Sequence, residues 1–503
     1  LSRDPSHPRT RCSLNGEWGL AVGTREDPPS TFPHRITVPS VIDCATPPLT
    51  GSEADYYWYA QDVEGPSLPA GCQVWLRLEQ AQFGTEVWVD GRRVGGSIAC
   101  TTSQEYRIDE FLGEHERHRL MVRVGTRQTL PPDHTAGRDQ EKEVFTPGVW
   151  GDVSLLVTGP AHCRDVLVLP SLERNEVTAK VWLTHGEGVA ETAVVRVTVL
   201  RPDEPQSAVT AQARYLRDED GCHLFECSTP IPQPRAWSPE DPFLYQARVS
   251  VHHAGEAVDL HEVQFGMRDF RVVGPSFHLN GRPIFLRGGN IAFHRFLADD
   301  ERARLPWTMD WVRKVFIDIP REHHFNFFRF HLGRAYHRWY DLADEHGLLL
   351  QDEWQFWNAT GSNRAIETEF RQWIKDNGNH PSIVIWDPLN ESSDDSIVHD
   401  IVPGLRTLDP TRPWESVDFH EQHPYIYSLG MTLNHRPFGF TRALPDLERS
   451  AEPVVVNEFL WWWFDSAWQP TVLMKDIVER WLGRDPRLKD IVDRQGYLAE
   501  ELV

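Results

Sequence analysis

Two glutamates in the second half of the chain each come directly after an asparagine at the end of an apolar, strand-like run. Glu391 ends the run SIVIWDPLNE (382–391), and Glu458 lies in PVVVNEFLWW (453–462). Hydrolysis of a glycosidic bond needs two carboxyl groups, one that protonates the leaving oxygen and one that attacks or activates water. A single glutamate at a strand end is most often a solvated residue or a salt-bridge partner. Two of them, on strands that face each other, favour a catalytic pair.

Tryptophans surround these acidic positions. The chain has 20 tryptophans in 503 residues, which is unusual. Indole rings can stack on a sugar, and they can raise the pKa of a neighbouring carboxyl group by excluding water. The alternative is core packing, which we expect for about half of the tryptophans closest to the acidic residues. These are Trp354, Trp357, Trp386, Trp461, Trp462 and Trp463.

The strands that carry the glutamates belong to a region of alternating strand and helix patterns. From residue 273 onward, continuous apolar strands alternate with amphipathic helices, which is typical of a parallel sheet covered on both faces. This pattern predicts a C-terminal (β/α)8 TIM barrel over 273–503. The eighth strand is missing, because 471–503 reads as helical. We therefore expect the native chain to continue beyond Val503, with an unusual closure of the barrel as the alternative. The predicted strands are 283–290, 325–331, 348–354, 382–391, 413–418, 423–428 and 453–462.

Catalytic groups of such a barrel lie at the C-terminal ends of its strands. The fourth and seventh strands, which carry Glu391 and Glu458, face each other across the barrel mouth. In a retaining mechanism the two carboxyl groups would lie about 5–5.5 Å apart, and in an inverting mechanism about 6.5–9.5 Å. The polar residues at the predicted strand ends are Asn290, Arg329, His331, Asp352, Glu353, Asn390, Glu391, Asp418, His423, Tyr425 and Glu458.

The part of the chain before the barrel consists of short alternating strands separated by turn residues. In TEVWVDGRRVG (85–95) two alternating runs flank Asp90-Gly91, which predicts a β-hairpin. Repeated strands without long helices predict a jelly-roll β-sandwich over 1–160. A second proline-punctuated β region predicts an immunoglobulin-like sandwich over 161–272.

Composition excludes several classes of protein. The formal net charge is −23 at pH 7. Such a surface repels phosphate backbones and offers no basic patch to anionic membranes. No apolar run approaches the ~20 residues that span a bilayer. We therefore expect a carbohydrate partner, with neither nucleic acid nor membrane, and a homo-oligomer remains open.

The seven cysteines contain no Cys-x-x-Cys pair, which argues against a zinc or redox site. We predict neither a metal nor a cofactor. Their odd number argues against a complete disulfide framework, although a bridge such as Cys222–Cys227 remains open. The chain begins at Leu1 without a signal-type apolar core. We expect that an N-terminal segment has been removed and that the protein is periplasmic or extracellular, with the cytoplasm as the alternative.

Motifs in order along the chain resemble glycoside hydrolase family 2, the group of β-galactosidases, β-glucuronidases and β-mannosidases. They cover nearly the whole chain, and their order makes the resemblance specific. They are LNGEWGLA (14–21), TPGVWGDVSL (146–155), AWSPEDPFLYQARV (236–249), VQFGMRDFRV (263–272), FHLNGRPIFLRGGN (277–290), FNFFRFH (325–331), RWYDLADEHGLLLQDE (338–353) and NHPSIVIWDPLNES (379–392).

The resemblance implies a role for each matching residue. It implies that Glu391 is the acid/base, Glu458 the nucleophile, and Asn390 the residue that holds the sugar 2-hydroxyl. It also implies that Arg329 keeps the nucleophile ionised. Tyr425 matches the tyrosine near the nucleophile, with Tyr427 in reserve. His331 and Asp352 match substrate-pocket positions, and we add Trp386 and Trp461 as expected sugar contacts.

Several departures leave the identity of the sugar open. The turn before Asn390 contains Asp387-Pro388 and Leu389, where the family usually has a small residue before the Asn-Glu pair. The Asn–Lys pattern of β-glucuronidases and the magnesium ligands of some β-galactosidases are not evident. We expect a retaining, β-galactosidase-like exo-β-glycosidase. The alternatives are a β-glucuronidase, β-galacturonidase or β-mannosidase, or a non-catalytic carbohydrate-binding protein on the same scaffold.

Overall fold

The computed structural model describes two compact parts of the chain. The larger part comprises the described residues up to Pro413, apart from Val272–Phe277 and Pro283–Phe285. Those two segments belong to the smaller part, together with 414–423 and 451–458. The described residues are 7–49, 53–65, 71–113, 115–135, 137, 139, 146–185, 192–296, 303–392, 394, 396–423 and 451–458.

An antiparallel β-sandwich opens the larger part. Its main sheets have the orders β1-β13-β6-β10 and β3-β2-β5-β11-β8-β9, and a short sheet has the order β4-β12-β7. The strands are β1 Thr10–Ser13, β2 Gly16–Gly23, β3 His34–Val38, β4 Ser40–Val41, β5 Tyr56–Glu64, β6 Gln73–Leu78, β7 Ala81–Gln82, β8 Thr85–Val89, β9 Arg92–Ser97, β10 Gln104–Arg107, β11 Arg117–Gly125, β12 Gly148–Val149 and β13 Val153–Thr158.

Alternating side chains build the core of this first sandwich. Leu76 and Leu155 from one sheet and Tyr59 and Leu120 from the other are fully buried in a single cluster. The hairpin predicted at Asp90-Gly91 is confirmed, because β8 pairs antiparallel with β9. Asp90 and Gly91 have φ values of 49° and 76°, as a tight turn between twisted strands requires.

A second antiparallel sandwich follows, with the strand order β14-β15-β18-β17-β16-β19-β20. Strand β17 pairs with β16 through Val209–Ala213 and with β18 through Arg214–Glu219, so it passes from one layer to the other. Val181, Phe225 and Val249 fill the core between the layers. The strands are β14 Ala161–Ser171, β15 Glu176–His185, β16 Val194–Leu200, β17 Val209–Glu219, β18 Cys222–Pro230, β19 Tyr245–His253 and β20 Glu256–Phe265.

Four parallel strands in the order β24-β25-β26-β27 form the sheet that carries most of the candidate site. Three further short strands precede it: β21 Phe270–Val273, β22 Ser276–Leu279 and β23 Arg282–Ile284. The sheet and its helices are β24 Gly288–Ile291, α1 Phe293–Phe296, α2 Met309–Val312, α3 Ile319–Glu322, β25 Phe327–Phe330, α4 Arg338–His346, β26 Leu349–Glu353, α5 Asn363–Asn377, β27 Ile383–Asp387 and α6 Val402–Leu408. One-turn π-helical segments, Arg313–Asp318 and Ile397–Ile401, precede α3 and α6.

Every residue of β25, β26 and β27 is buried, as expected for a parallel sheet covered on both faces. Helix α5 begins where the Ser362 hydroxyl accepts the Ala365 N–H, and its Trp373 packs on Trp386 of strand β27. Helix α4 ends at Gly347, whose φ of 72° is left-handed. A side chain there would also collide with the Pro239 carbonyl, so glycine is required.

The first sandwich holds the sheet through the motif at 146–155. The Trp150 ring packs on Phe293 with ring centroids 5.6 Å apart, and its carbonyl accepts the Trp307 indole N–H at 2.9 Å. Asp152 accepts the Tyr336 hydroxyl at 2.7 Å. These buried polar contacts fix the loops between the first strands, because each unmade bond would leave a desolvated group.

Two buried arginines fix the start of strand β27. Arg268 donates from Nη2 to the Ile383 carbonyl at 2.7 Å and from Nε to the Pro381 carbonyl at 2.9 Å. Arg412 donates from Nε to the same Ile383 carbonyl at 2.7 Å and pairs with Asp409 at 2.6 Å. The position of the strand that leads to Asn390 and Glu391 is thereby set from the second sandwich and from the end of α6.

Two parallel strands, β28 His420–Gln422 and β29 Val454–Val456, form the sheet of the smaller part. The strand predicted over 413–418 is wrong. The Asp418 N–H donates to the Trp414 carbonyl at 2.9 Å and the Asp418 carboxylate accepts the Trp414 N–H at 2.7 Å, which closes a turn. The next predicted strand, 423–428, begins after β28 ends, and 424–428 lie outside the described residues.

A disulfide between Cys222 and Cys227 is not formed. Both cysteines lie on strand β18, where five residues of extended chain span about 16 Å. Disulfide formation needs Cα atoms within about 7 Å, so the bridge is sterically excluded. Separately, within the described residues no helix is both long enough and apolar enough to cross a membrane.

Glu369 on helix α5 makes the stability of the protein depend on pH. Its buried carboxyl group accepts the Thr102 hydroxyl at 3.0 Å and lies 3.8 Å from His134 Nε2. Burial raises the pKa of Glu369 from 4.5 to about 7. Because the folded-state pKa is raised, its stabilising contribution is complete below pH 4.5 and is lost as the pH rises through 7.

The wild type loses this stabilisation at high pH, whereas the glutamine of Glu369→Gln does not titrate. We therefore expect the free energy of unfolding of Glu369→Gln minus that of the wild type to be about 2–3 kcal/mol larger at pH 8 than at pH 4.5. Denaturant unfolding of both proteins at the two pH values measures this difference. Glu367→Gln, at an exposed position of the same helix, should give the same small effect at both. A stability difference between Glu369→Gln and wild type that does not change with pH would contradict the assignment.

Candidate active site

The alternation of the parallel strands decides which polar side chains meet. Asn290 pairs in register with Arg329, Arg329 with Gln351, and Glu353 with Asp387. Neighbours in register point to the same face of a sheet. One face at the C-terminal strand ends is therefore polar, and it contains Arg329 together with two carboxylates.

Arg329 is fully buried and is the centre of this polar face. Its Nε lies 2.7 Å from Glu353 Oε2 and 3.4 Å from Asp387 Oδ2. His331 joins the group, because its Nδ1 lies 3.4 Å from Glu353 Oε2. One guanidinium is thus shared by two buried carboxylates, an arrangement that stabilises the carboxylates only as long as the arginine stays in place.

Asn390 follows strand β27 and is held in one orientation. Its side-chain Oδ1 accepts Nη2–H of Arg329 at 2.8 Å, and its backbone N–H donates to the Phe356 carbonyl at 2.8 Å. Because the carbonyl side of the amide faces the arginine, the NH2 group remains as the donor side. Asn390 is 1% exposed, so the network fixes the direction in which that donor points.

Glu391 is exposed directly after this buried residue. Its φ of 41° is left-handed, a conformation that costs a glutamate about 1–3 kcal/mol and persists only where the surroundings impose it. Ser392 pins the following position, because its hydroxyl donates to the Asn390 carbonyl at 2.7 Å and accepts the Asn358 N–H at 2.6 Å. These contacts therefore fix the backbone from which the Glu391 side chain projects.

Asp352 lies on the opposite face of strand β26, towards the helices. Its carboxylate accepts hydrogen bonds from Tyr340 at 2.6 Å, Trp373 at 2.7 Å and Asn377 at 2.7 Å. Burial raises the pKa of Asp352, against the opposing effects of Arg334 and these donors. Asp352 therefore joins strand β26 to helices α4 and α5. A direct contact between Asp352 and a sugar stays a prediction.

Trp386 shares that helix-facing side of the sheet. It is fully buried, donates its indole N–H to Asp409 at 2.9 Å, and packs on Trp373 with ring centroids 4.8 Å apart. Trp354 is likewise buried against Trp373. Trp357, which is only partly buried, pairs through its backbone with Asn390, so it lies beside the turn that carries Glu391.

In the smaller part, Glu458 and His423 follow the ends of the adjacent strands β29 and β28. His423 lies between two carboxylates, with Nε2 3.0 Å from Glu421 and Nδ1 3.8 Å from Glu458. Asn457 donates its side-chain amide to Glu421. Glu458 is 9% exposed, so it is a nearly buried carboxyl group at a strand end, with an imidazole beside it. Tyr425, Tyr427 and Trp461 lie outside the described residues.

Sequence reasoning named Glu353 and His423 as polar strand-end residues but gave them no role, and it treated Asp387 only as an unusual turn residue. The two-residue alternation of β26 and β27 could have identified Glu353 and Asp387, once Arg329 is taken to mark the polar face. His423 could have been favoured only with the register of β28 and β29, which its local sequence does not reveal.

The chain has a multidomain architecture of the glycoside hydrolase type. Two β-sandwiches are followed by parallel strands that alternate with helices, and Asn-Glu pairs lie at strand ends. The chain belongs to glycosyl hydrolase family 2. The family's model "Glycosyl hydrolases family 2" matches residues 161–268, and "Glycosyl hydrolases family 2, TIM barrel domain" matches residues 270–459. The fold class predicted from the sequence, two sandwiches and a C-terminal TIM barrel domain, is confirmed.

Several β-galactosidases are similar to this chain in sequence. The chain is 26% identical over 466 residues to a β-galactosidase of Photobacterium profundum, covering 82% of this chain and 43% of the relative. It is 27% identical over 462 residues to β-galactosidase 2 of Enterobacter cloacae, again covering 82% and 43%. The chain thus spans less than half the length of these relatives.

Solved structures share the fold at lower identity. A β-D-glucuronidase of Dictyoglomus thermophilum superimposes with a TM-score of 0.68 at 18% identity, covering 98% of this chain and 90% of that one. A β-glucuronidase of Bacteroides uniformis gives a TM-score of 0.69 at 19% identity, covering 90% and 59%.

Proposed function

We propose that the protein is a retaining exo-β-glycosidase that removes terminal, non-reducing β-linked galactose from oligo- or polysaccharides. The observation that carries the proposal is the turn after β27. It presents an exposed glutamate in an imposed conformation, beside an asparagine whose amide is oriented by a buried arginine. That combination supports a proton donor next to a donor for a sugar hydroxyl.

In the proposed mechanism Glu458 attacks the anomeric carbon while Glu391 protonates the leaving oxygen. Glu391 then removes a proton from the water that releases the sugar from Glu458. The mechanism requires the two carboxyl groups to approach to about 5–5.5 Å. Asn390 would donate to the 2-hydroxyl, and the charge of Arg329 would favour ionised carboxylates around the anomeric centre. We propose domain limits of 1–160, 161–272 and 273–503 for the three parts.

Electrostatics of the strand ends favour a neutral sugar. Arg329 is already shared by the carboxylates of Glu353 and Asp387 at 2.7 and 3.4 Å. A further carboxylate, as in a uronic acid, would meet two buried negative charges close to that single guanidinium. The β-galactosidase relatives also support a galactoside.

A panel of nitrophenyl β-glycosides tests this function. We expect the β-galactoside to be hydrolysed with the highest kcat/KM among β-galactoside, β-glucuronide, β-mannoside, β-galacturonide and β-glucosaminide. Preference for a uronide would overturn the choice of sugar. Calorimetric binding of a sugar without hydrolysis of any substrate would instead favour a non-catalytic carbohydrate-binding protein.

A further inference from the structure

Asp387 connects the proposed acid/base turn to the rest of the polar face. It is fully buried at the end of strand β27. Its Oδ2 accepts the Gln351 amide at 2.6 Å and lies 3.4 Å from Arg329 Nε. Its Oδ1 accepts the Leu389 backbone N–H at 3.2 Å. One carboxylate therefore contacts a neighbouring strand, the shared guanidinium and its own turn.

The contact to Leu389 lies two residues before Glu391. Asp387 restrains the chain on one side of Asn390, while Ser392 restrains it on the other through the Asn390 carbonyl. Since Arg329 contacts both Asp387 and Asn390, the same guanidinium ties the two ends of this turn together. The left-handed φ of Glu391 is consistent with such restraints, because a glutamate adopts this conformation uncommonly.

We propose that Asp387 is a positioning residue for Glu391, and that Gln351 and Arg329 hold Asp387 in place for this purpose. The inference rests on the proposed acid/base role of Glu391. A carboxylate suits the position because it accepts from Gln351 and Leu389 at once, and because it draws the Arg329 guanidinium towards β27. Without it, the Glu353 carboxylate would still attract Arg329 Nε from 2.7 Å on the other side, and the guanidinium would move away from Asn390.

Two aryl β-galactosides that differ in their leaving group distinguish positioning of the proton donor from general damage. A phenolate leaves slowly without protonation, whereas a 2,4-dinitrophenolate leaves without it. We expect Asp387→Ala to lower kcat/KM for the phenyl galactoside at least about 30-fold and for the dinitrophenyl galactoside less than about threefold. Gln351→Leu removes one partner of Asp387 and keeps the carboxylate. It should also lower kcat/KM more for the phenyl galactoside than for the dinitrophenyl galactoside, but the ratio of the two kcat/KM values should change less than in Asp387→Ala.

Asp344→Asn is the matched control. Asp344 is a buried carboxylate of helix α4 that contacts His380 at 2.6 Å and the Ser382 N–H at 3.0 Å, away from the turn. It should lower stability and leave the ratio of the two kcat/KM values unchanged. Equal losses on both substrates in Asp387→Ala and Gln351→Leu, or no loss in either, would overturn the role of Asp387. Glu391→Gln in the same assay separates the two ideas, because a loss independent of the leaving group there would refute the proposed acid/base itself.

Discussion

Replacing Glu458 by glutamine should lower kcat roughly 10⁴-fold or more, because the amide cannot attack the anomeric carbon to form the covalent intermediate. The substitution keeps the size and the near-complete burial of the side chain, so sugar binding should survive. The measurements are kcat on the preferred nitrophenyl glycoside and the dissociation constant of the product sugar by calorimetry. Loss of catalysis with retained binding is the expected pair of results.

Glu452→Gln is the control for this change, since Glu452 precedes strand β29 at its opposite end. It should retain kcat within about twofold, because the change lies at the end of β29 away from Glu458. Near wild-type turnover of Glu458→Gln would show that this strand-end glutamate does not form the intermediate. The nucleophile would then have to be sought elsewhere.

Replacing Glu391 by glutamine should lower kcat/KM by about 10²–10⁴-fold, the usual contribution of a positioned general acid/base. The loss should be largest for glycosides with poor leaving groups, which depend on the proton. The alkaline limb of the pH profile should also disappear, because that limb reports ionisation of the proton donor. Kinetics over a pH series with two leaving groups measure both effects.

Glu367→Gln serves as the companion control, because Glu367 is exposed on helix α5 and has no part in the proposed chemistry. Its pH profile should match that of the wild type. A Glu391→Gln protein that keeps the alkaline limb would assign general-acid catalysis to another group. In that case the left-handed turn at Glu391 would have to serve a different purpose.

Local sequence signals were sufficient for the architecture. Asp90-Gly91 predicted its hairpin because only small turn residues tolerate two positive φ values in succession. The continuous apolar runs of β25 to β27 predicted buried parallel strands. The strand prediction for 413–418 was wrong. Trp414 and Val417 suggest a strand, but the Asp418 side chain accepts the Trp414 N–H and closes a turn. Side-chain competition for backbone donors of this kind depends on tertiary context.

The site was predicted in part. Asn390 and Arg329 were both named as site residues, and the structure joins them by a hydrogen bond across the end of the intervening strand β26. Asp352 and Trp386 were chosen as polar or aromatic residues at strand ends, and both point to the helices. A one-residue shift in a strand exchanges the two faces, and a buried strand with polar groups on both sides does not reveal which face is which. The register of each strand relative to Arg329 identifies which face is the polar one.

Covalent trapping tests the central claim, that Glu391 and Glu458 act as the pair of a retaining mechanism. A 2-deoxy-2-fluoro-β-glycoside of the preferred sugar, with a dinitrophenyl leaving group, should form a glycosyl ester that hydrolyses slowly. Digestion and mass spectrometry should then place the label on Glu458, and Glu391→Gln should still be labelled because this leaving group needs no proton. A label on another carboxylate, or product of inverted anomeric configuration with no trapped ester, would contradict the account.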